Sequence, residues 1–230
     1  MDRRGFARCC SGALLAPGLV AWAGAIEDWA PARLVGADGQ PLKAAQVPTH
    51  EALVFAYPLK GIPCYLINVD AHKPQAHALS SPDDGDYASP QGIGPAGNLV
   101  AFVAICTHQL SYPTPKVSYL RYAASGSELA GAPGRIVCCA HGSVYDPAQG
   151  GVRVSGPAPN PLMPVRLAWD AASDELTATG AVGRRFFERF FKNFKGELIE
   201  RHGPGAYRQE VEGTTTAIPL SEYSQLVPGC

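Results

Sequence analysis

With 230 residues and 46% hydrophobic side chains, the chain can bury the core of one domain and still carry appendages. A net charge of −1 excludes a basic, nucleic-acid-binding surface as its organising feature. Its 25 glycines and 21 prolines argue against long helices in the body and for many turns. At the N-terminus, Asp2-Arg3-Arg4-Gly5-Phe6 is a twin-arginine pattern, and an apolar run of about 16 residues follows over 11–26. That run is shorter than the ~20 residues needed to span a bilayer. Ala23-Gly24-Ala25 offers a small-residue cleavage site. Residues 1–25 are therefore expected to be a twin-arginine signal or a short anchor, and the protein to be exported to the periplasm.

The body reads as strands. Residues 52–57 and 63–69 are apolar, β-branched and aromatic runs separated by Pro58-Leu59-Lys60-Gly61, a hairpin signal. Residues 73–97 are rich in Pro, Asp, Ser and Gly and predict a long surface loop. Further strands are expected over 99–105, 117–122, 135–138, 152–154, 163–169 and 175–179. The fold class that follows is all-β, in one domain over 30–180. Residues 184–201 break this pattern: Phe186, Phe190 and Phe194 recur at helical spacing, flanked by Phe187, Phe191 and Leu198. The opposite face is charged, with six basic and three acidic residues over the segment. An amphipathic helix is expected there. Its apolar face would be covered by its own domain or, the reading preferred here, by a partner subunit or a membrane surface. Residues 203–230 have little periodicity and predict a tail, loosely ordered or wrapped on a partner.

Two boxes carry the chemistry. The first is Cys106-Thr107-His108, and the second is Cys138-Cys139-Ala140-His141-Gly142-Ser143-Val144-Tyr145-Asp146. Together they supply C-x-H and C-x-x-H, the two thiolates and two imidazoles that a Rieske [2Fe–2S] cluster takes as ligands. Each box can give one ligand to each iron if the backbone turns tightly. The candidate ligands are Cys106, His108, Cys138 and His141. A structural zinc site is the alternative, but zinc boxes space like ligands as C-x₂₋₄-C and H-x₃₋₅-H, which this pattern fits poorly. Of the other cysteines, Cys9 and Cys10 lie in the leader and Cys64 in an apolar run, where a buried thiol is expected. A bridge between Cys64 and the terminal Cys230 is left open.

The second box, followed by Gly156-Pro157-Ala158-Pro159, resembles the high-potential Rieske proteins. That family includes the iron–sulfur subunits of cytochrome bc complexes and the small subunits of arsenite-oxidase-type enzymes. The resemblance spans residues 100–167 and implies stacked antiparallel sheets with a cluster-binding subdomain at one end. It implies cluster loops at 106–111 and 138–146 and a proline loop at 156–159 that covers the cluster. It also implies that Ser143 and Tyr145 hydrogen-bond a bridging sulfide and a cysteine sulfur, which stabilises the added electron. The chain departs from the family at Ser111 and Ala140, where a disulfide usually joins the two loops, so no such bridge is expected. Gln109 and Leu110 replace a leucine and a glycine, and the loss of that outward leucine speaks against quinol oxidation. Residues 109–137 are a longer connection than the family's.

The expected function is one-electron transfer as an exported subunit of a larger redox complex, with no catalytic residue of its own. The expected acceptor is a c-type cytochrome or similar protein, and the expected donor a quinol-oxidising or molybdenum subunit. The alternatives are an oxygenase-type Rieske ferredoxin and a zinc module. Membrane contact is expected through the N-terminus or the 184–201 helix, and no nucleic acid is expected.

Overall fold

In the computed structural model, which describes residues 26–230, short strands dominate. In chain order they are β1 (Glu27–Val35), β2 (Leu53–Ala56), β3 (Pro63–Asn68), β4 (Ala78–Ser81), β5 (Gly85–Ala88), β6 (Leu99–Val103), β7 (Leu120–Ala123), β8 (Arg135–Cys138), β9 (Ser143–Asp146), β10 (Val152–Ser155), β11 (Pro164–Asp170) and β12 (Glu175–Ala181). Then come the helices α1 (Arg184–Asn193) and α2 (Lys195–His202), the strands β13 (Gly213–Thr216) and β14 (Ile218–Pro219), and a last turn of helix, α3 (Leu220–Tyr223). The twin-arginine segment over 1–25 lies outside the described residues. Among the described residues no helix is long and apolar enough to cross a membrane.

Eight strands form one sheet in the order β13-β1-β12-β11-β6-β3-β2-β14. Its two edge strands are neighbours in sequence, separated only by Ala217. The chain therefore draws the two edges together and curls the sheet towards a barrel, which removes exposed edges. All its pairings are antiparallel except β1 with β13, which is parallel. A second sheet, β10-β9-β8-β7, carries the second box between β8 and β9, while the first box follows β6 of the large sheet and leads towards β7; β4 pairs with β5 as a separate hairpin. The fold is all-β with a helical cover, as the sequence implied. The expected 73–97 loop is corrected at its centre, where the β4–β5 hairpin forms.

β3 shows why the apolar runs are strands. Its Cys64 and Leu66 belong to the core inside the large sheet, whereas Tyr65 and Ile67 belong to the core between the two sheets. Both faces are buried, so the sequence is continuously apolar rather than alternating. The second core adds Phe102, Leu120, Ile136, Cys138 and Tyr145. One hydrophobic layer thus fixes the ligand-bearing sheet on the large one.

The 184–201 segment is two helices, with a break at Phe194. Phe186, Phe187, Phe190 and Phe191 are at most 1% exposed and belong to the first core. The preferred expectation, an apolar face covered by a partner or a membrane, is corrected: the chain covers it itself. Each phenylalanine so buried contributes roughly 1.5–3 kcal/mol. The β4–β5 turn caps α1 from outside, because Asp84 Oδ1 accepts the Arg185 N–H at 2.9 Å and Asp83 pairs with Arg189 at 2.8 Å. Carboxylates there satisfy the free amides of a helix that has no side-chain cap of its own. The tail is corrected as well. Residues 203–230 supply both edge strands of the large sheet, and Cys230 is bonded to Cys139.

Candidate metal centre

The first box is a tight loop leaving β6. Cys106 N–H donates to Ser111 O at 2.8 Å, and Leu110 N–H donates to Cys106 O at 2.9 Å. Leu110 takes a left-handed backbone with φ 60 and is 7% exposed, its side chain in the first core. A leucine rarely adopts that conformation, and inward packing is what holds it there. Gln109 is exposed beside His108, so no apolar side chain projects outward at this point of the loop. Tyr112 follows and packs edge-on against Phe190, with ring centroids 4.8 Å apart. Helix α1 therefore buttresses the first box.

The second box is the turn between β8 and β9. Gly142 N–H donates to Cys138 O at 2.9 Å, with Gly142 at φ 80. The 156–159 loop presses on this turn: a Cβ at Gly156 would meet Gly142 O at 2.2 Å, so only glycine fits. Ala158 N–H in that loop donates to Ser143 Oγ at 3.2 Å. Asp146 closes β9. It accepts from Ala148 N–H at 3.0 Å and pairs with Arg135 across the sheet.

These loops bring the four candidate ligands together as two pairs. Cys106 and Cys138 are each 1% exposed and hydrogen-bond one another. His108 and His141 stack edge-on at 4.9 Å, with His141 exposed. The other two predicted residues are fully buried, and both donate towards Cys106: Tyr145 Oη lies 3.2 Å from its sulfur, and Ser143 also hydrogen-bonds it. The Cys106 thiol is held down to about 6. The largest cause is the hydrogen bond from Cys138, and Tyr145, the His108 N–H and Ser143 add to it against burial. The same bond, with burial, pushes the Cys138 thiol up, while the Ala140 and His141 amides oppose it. Burial, then the nearby Cys106 charge, pushes the Tyr145 hydroxyl up, so its proton stays in place to be donated.

Three features of the site were not legible in the sequence. Thr107 is fully buried; its N–H donates to Tyr145 Oη at 3.2 Å and its hydroxyl to Asn160 O at 2.7 Å. Because Tyr145 Oη accepts from Thr107, its own proton is directed away, towards the Cys106 sulfur. Asn160 is 3% exposed and ties the proline loop to the first box. The third feature is the Cys139–Cys230 disulfide, spanning 91 residues. Cys64, its other possible partner, is instead a buried free thiol that donates to Tyr57 O at 2.9 Å. As expected, no disulfide joins the two cluster loops among the described residues.

The donor set fits a two-iron cluster. His108 Nδ1 is buried without a hydrogen-bond partner, a costly state for a ring nitrogen unless it binds something. Among the described residues no three or more His, Cys, Asp or Glu side chains are arranged around a single ion. A cluster asks for two protein ligands per iron rather than four around one point.

No protein-family model matches the chain. Among solved structures, it is similar to the soluble domain of the Rieske protein II (soxF) from Sulfolobus acidocaldarius, with 26% identity and a TM-score of 0.48 over 66% of this chain and 78% of that one.

Proposed function

We propose that this chain is an electron-transfer protein that binds one Rieske [2Fe–2S] cluster through Cys106, His108, Cys138 and His141. The observation that carries this reading is the pairing itself: two buried thiols against two imidazoles, with the unpartnered His108 Nδ1 between core and surface. Bound there, the cluster supplies a one-electron couple, in the Rieske class at about −150 to +300 mV. The chain's own residues set where in that span it falls. Ser143, Tyr145 and the amides of His108, Ala140 and His141 aim donors at the two sulfurs, which favours the more negative, reduced state. Burial of the cysteines keeps water from the sulfur side, and the exposed His141 offers the edge through which electrons leave. No side chain is assigned a catalytic role.

The working place we assign is the periplasm, as part of a larger redox assembly that passes electrons to a c-type cytochrome or similar acceptor. The Arg3-Arg4 pattern supports export, and a disulfide at Cys139–Cys230 suits an oxidising compartment. The inward Leu110 and exposed Gln109 leave the first loop without an apolar contact to a quinol site, which favours another donor. The test is a visible and electron paramagnetic resonance spectrum with iron and zinc analysis of the purified chain. Two irons per chain with a cluster spectrum are expected. One zinc and no colour would overturn the reading.

A further inference from the structure

The end of the chain lies across both ligand loops. Leu220 N–H donates to Ala52 O at 3.0 Å, which anchors α3 beside the large sheet. From there the chain zips onto residues 114–118, the arm that leads out of the first box into β7. Ser224 Oγ donates to Thr114 O at 2.7 Å, Gln225 N–H to Pro115 O at 2.9 Å, Leu226 N–H to Lys116 O at 3.2 Å, and Ser118 N–H back to Leu226 O at 2.9 Å. The last residue, Cys230, is then bonded to Cys139, the neighbour of Cys138. One segment of seven residues, 224–230, is thus tied to the first loop's outgoing arm and covalently to the second loop.

The 156–160 loop also bridges the two loops, through Ala158 N–H to Ser143 Oγ and the Thr107 hydroxyl to Asn160 O, but by hydrogen bonds alone. Tyr145 links them from within, through Cys106 and Thr107, and Cys139 N–H donates to Tyr119 O at 2.7 Å. The second loop itself is a short turn between two four-residue strands. For iron to leave, the loops must part. Local opening of this kind has its own free energy, separate from that of the whole domain, and a covalent tie across the opening raises it.

We infer that residues 224–230, closed by the Cys139–Cys230 bond, form a clamp that holds the two ligand loops at cluster-binding separation, so that retention of the cluster depends on it. This rests on the proposed cluster-binding reading. The clamp acts from outside, touching neither iron nor sulfide, and its residues are positioning residues.

The test uses the full chain with both bridge cysteines replaced (Cys139→Ser with Cys230→Ser), so that no spare thiol is left beside Cys138. Three quantities are compared with the parent: the cluster's spectrum, its rate of bleaching in an iron chelator, and segment-resolved amide hydrogen exchange. The variant is expected to show the same spectral shape, to bleach at least ~10-fold faster, and to exchange faster only over 114–118, 138–146 and the clamp itself, 224–230. Ser224→Ala, which keeps the bridge, should bleach faster by a smaller factor. Bleaching within ~2-fold of the parent in both variants overturns the clamp. So does exchange that quickens equally in β2, β3 and β6, because the tail would then merely stabilise the whole domain. A parent chain that takes up no cluster from iron and sulfide overturns the functional reading itself, and the clamp with it.

Discussion

The large sheet buries a core of its own: Leu34, Phe55, Leu66, Val103 and the phenylalanines of α1 are all closed off by the chain that carries them. The ligand-bearing sheet has little that belongs to it alone. Its separate cluster holds only Ala123, Ala130, Val137 and Val144 as buried members, and its other buried residues lean on the large sheet's outer face. At its tip the β8–β9 turn, with Cys138 and His141, meets the loop that leaves β6 of the large sheet, with Cys106 and His108, whose Nδ1 is buried without a partner. One region is stabilised by burial, which needs nothing from outside. The other is shaped by hydrogen bonds and ties, and under the proposed function a metal group would complete them.

This contrast predicts that damage at the tip stays at the tip. Replacing Cys106, His108, Cys138 or His141 singly leaves an incomplete ligand shell, and iron content should fall to background. The far-ultraviolet circular dichroism of the large sheet should persist. If Cys139→Ser removes the cluster while Cys138→Ser keeps it, the ligand assignment is wrong. Damage to the large core should do the reverse. Phe190→Ala deletes a ring that touches Phe191, Phe194 and Tyr112, and should cost about 3–5 kcal/mol of unfolding free energy. Protein that remains folded should keep an unaltered cluster spectrum. A loss of cluster at temperatures where Phe190→Ala is still folded would show that Tyr112 couples the two regions tightly.

A finer test changes the electron's energy without removing the ligands. Tyr145→Phe and Ser143→Ala each take one donor from the Cys106 sulfur. A hydrogen bond to a charged group is worth roughly 1.5–3 kcal/mol, or about 60–130 mV for one electron, and the potential should fall by up to that amount. Tyr145→Phe also leaves the Thr107 N–H without its acceptor, so it should cost some stability at the tip as well. Equal potentials in parent and both variants would remove the donor roles.

The two regions also differed in how well the sequence announced them. The two boxes that supply the proposed ligands could be picked out because each is local, and tight turns need their residues close together. β2, β3 and β8 were legible because strands buried on one or both faces are apolar runs. β1 was not: it opens with Glu27-Asp28, contains Pro31, and only its C-terminal end is buried. β4 and β5 are polar and partly exposed, so their pairing leaves no period to read. The tail was least legible. Gly213–Thr216 pairs in parallel with β1, nearly the whole chain away, and no local pattern encodes such a pairing. Cysteine connectivity is not encoded either, and Cys230 chose Cys139 by position in space. The phenylalanine stripe gave the helix but not what covers it, because a self-covered face and a docking face read alike in sequence.

The smallest expected effect lies far from the tip. His202 ends α2, and burial, then the neighbouring Arg201 charge, lowers its pKa below the ordinary histidine value. The folded protein therefore holds this imidazole neutral at a pH where the unfolded chain has begun to protonate it. Between those two values the unfolded state binds more protons, so stability rises with pH. The contribution is fully present above the ordinary value of about 6.5 and is lost as pH falls through the lowered, folded value. His202→Gln removes the titration but keeps a polar side chain. The difference in Tm between parent and His202→Gln should be constant above neutral pH and should move in the variant's favour as the solution is acidified from there. The cluster's potential should be the same in both proteins at each pH. A Tm difference that ignores pH would mean that the ring is hydrated in the folded protein. A potential that follows the substitution would mean that the two regions communicate electrostatically, against the separation argued here.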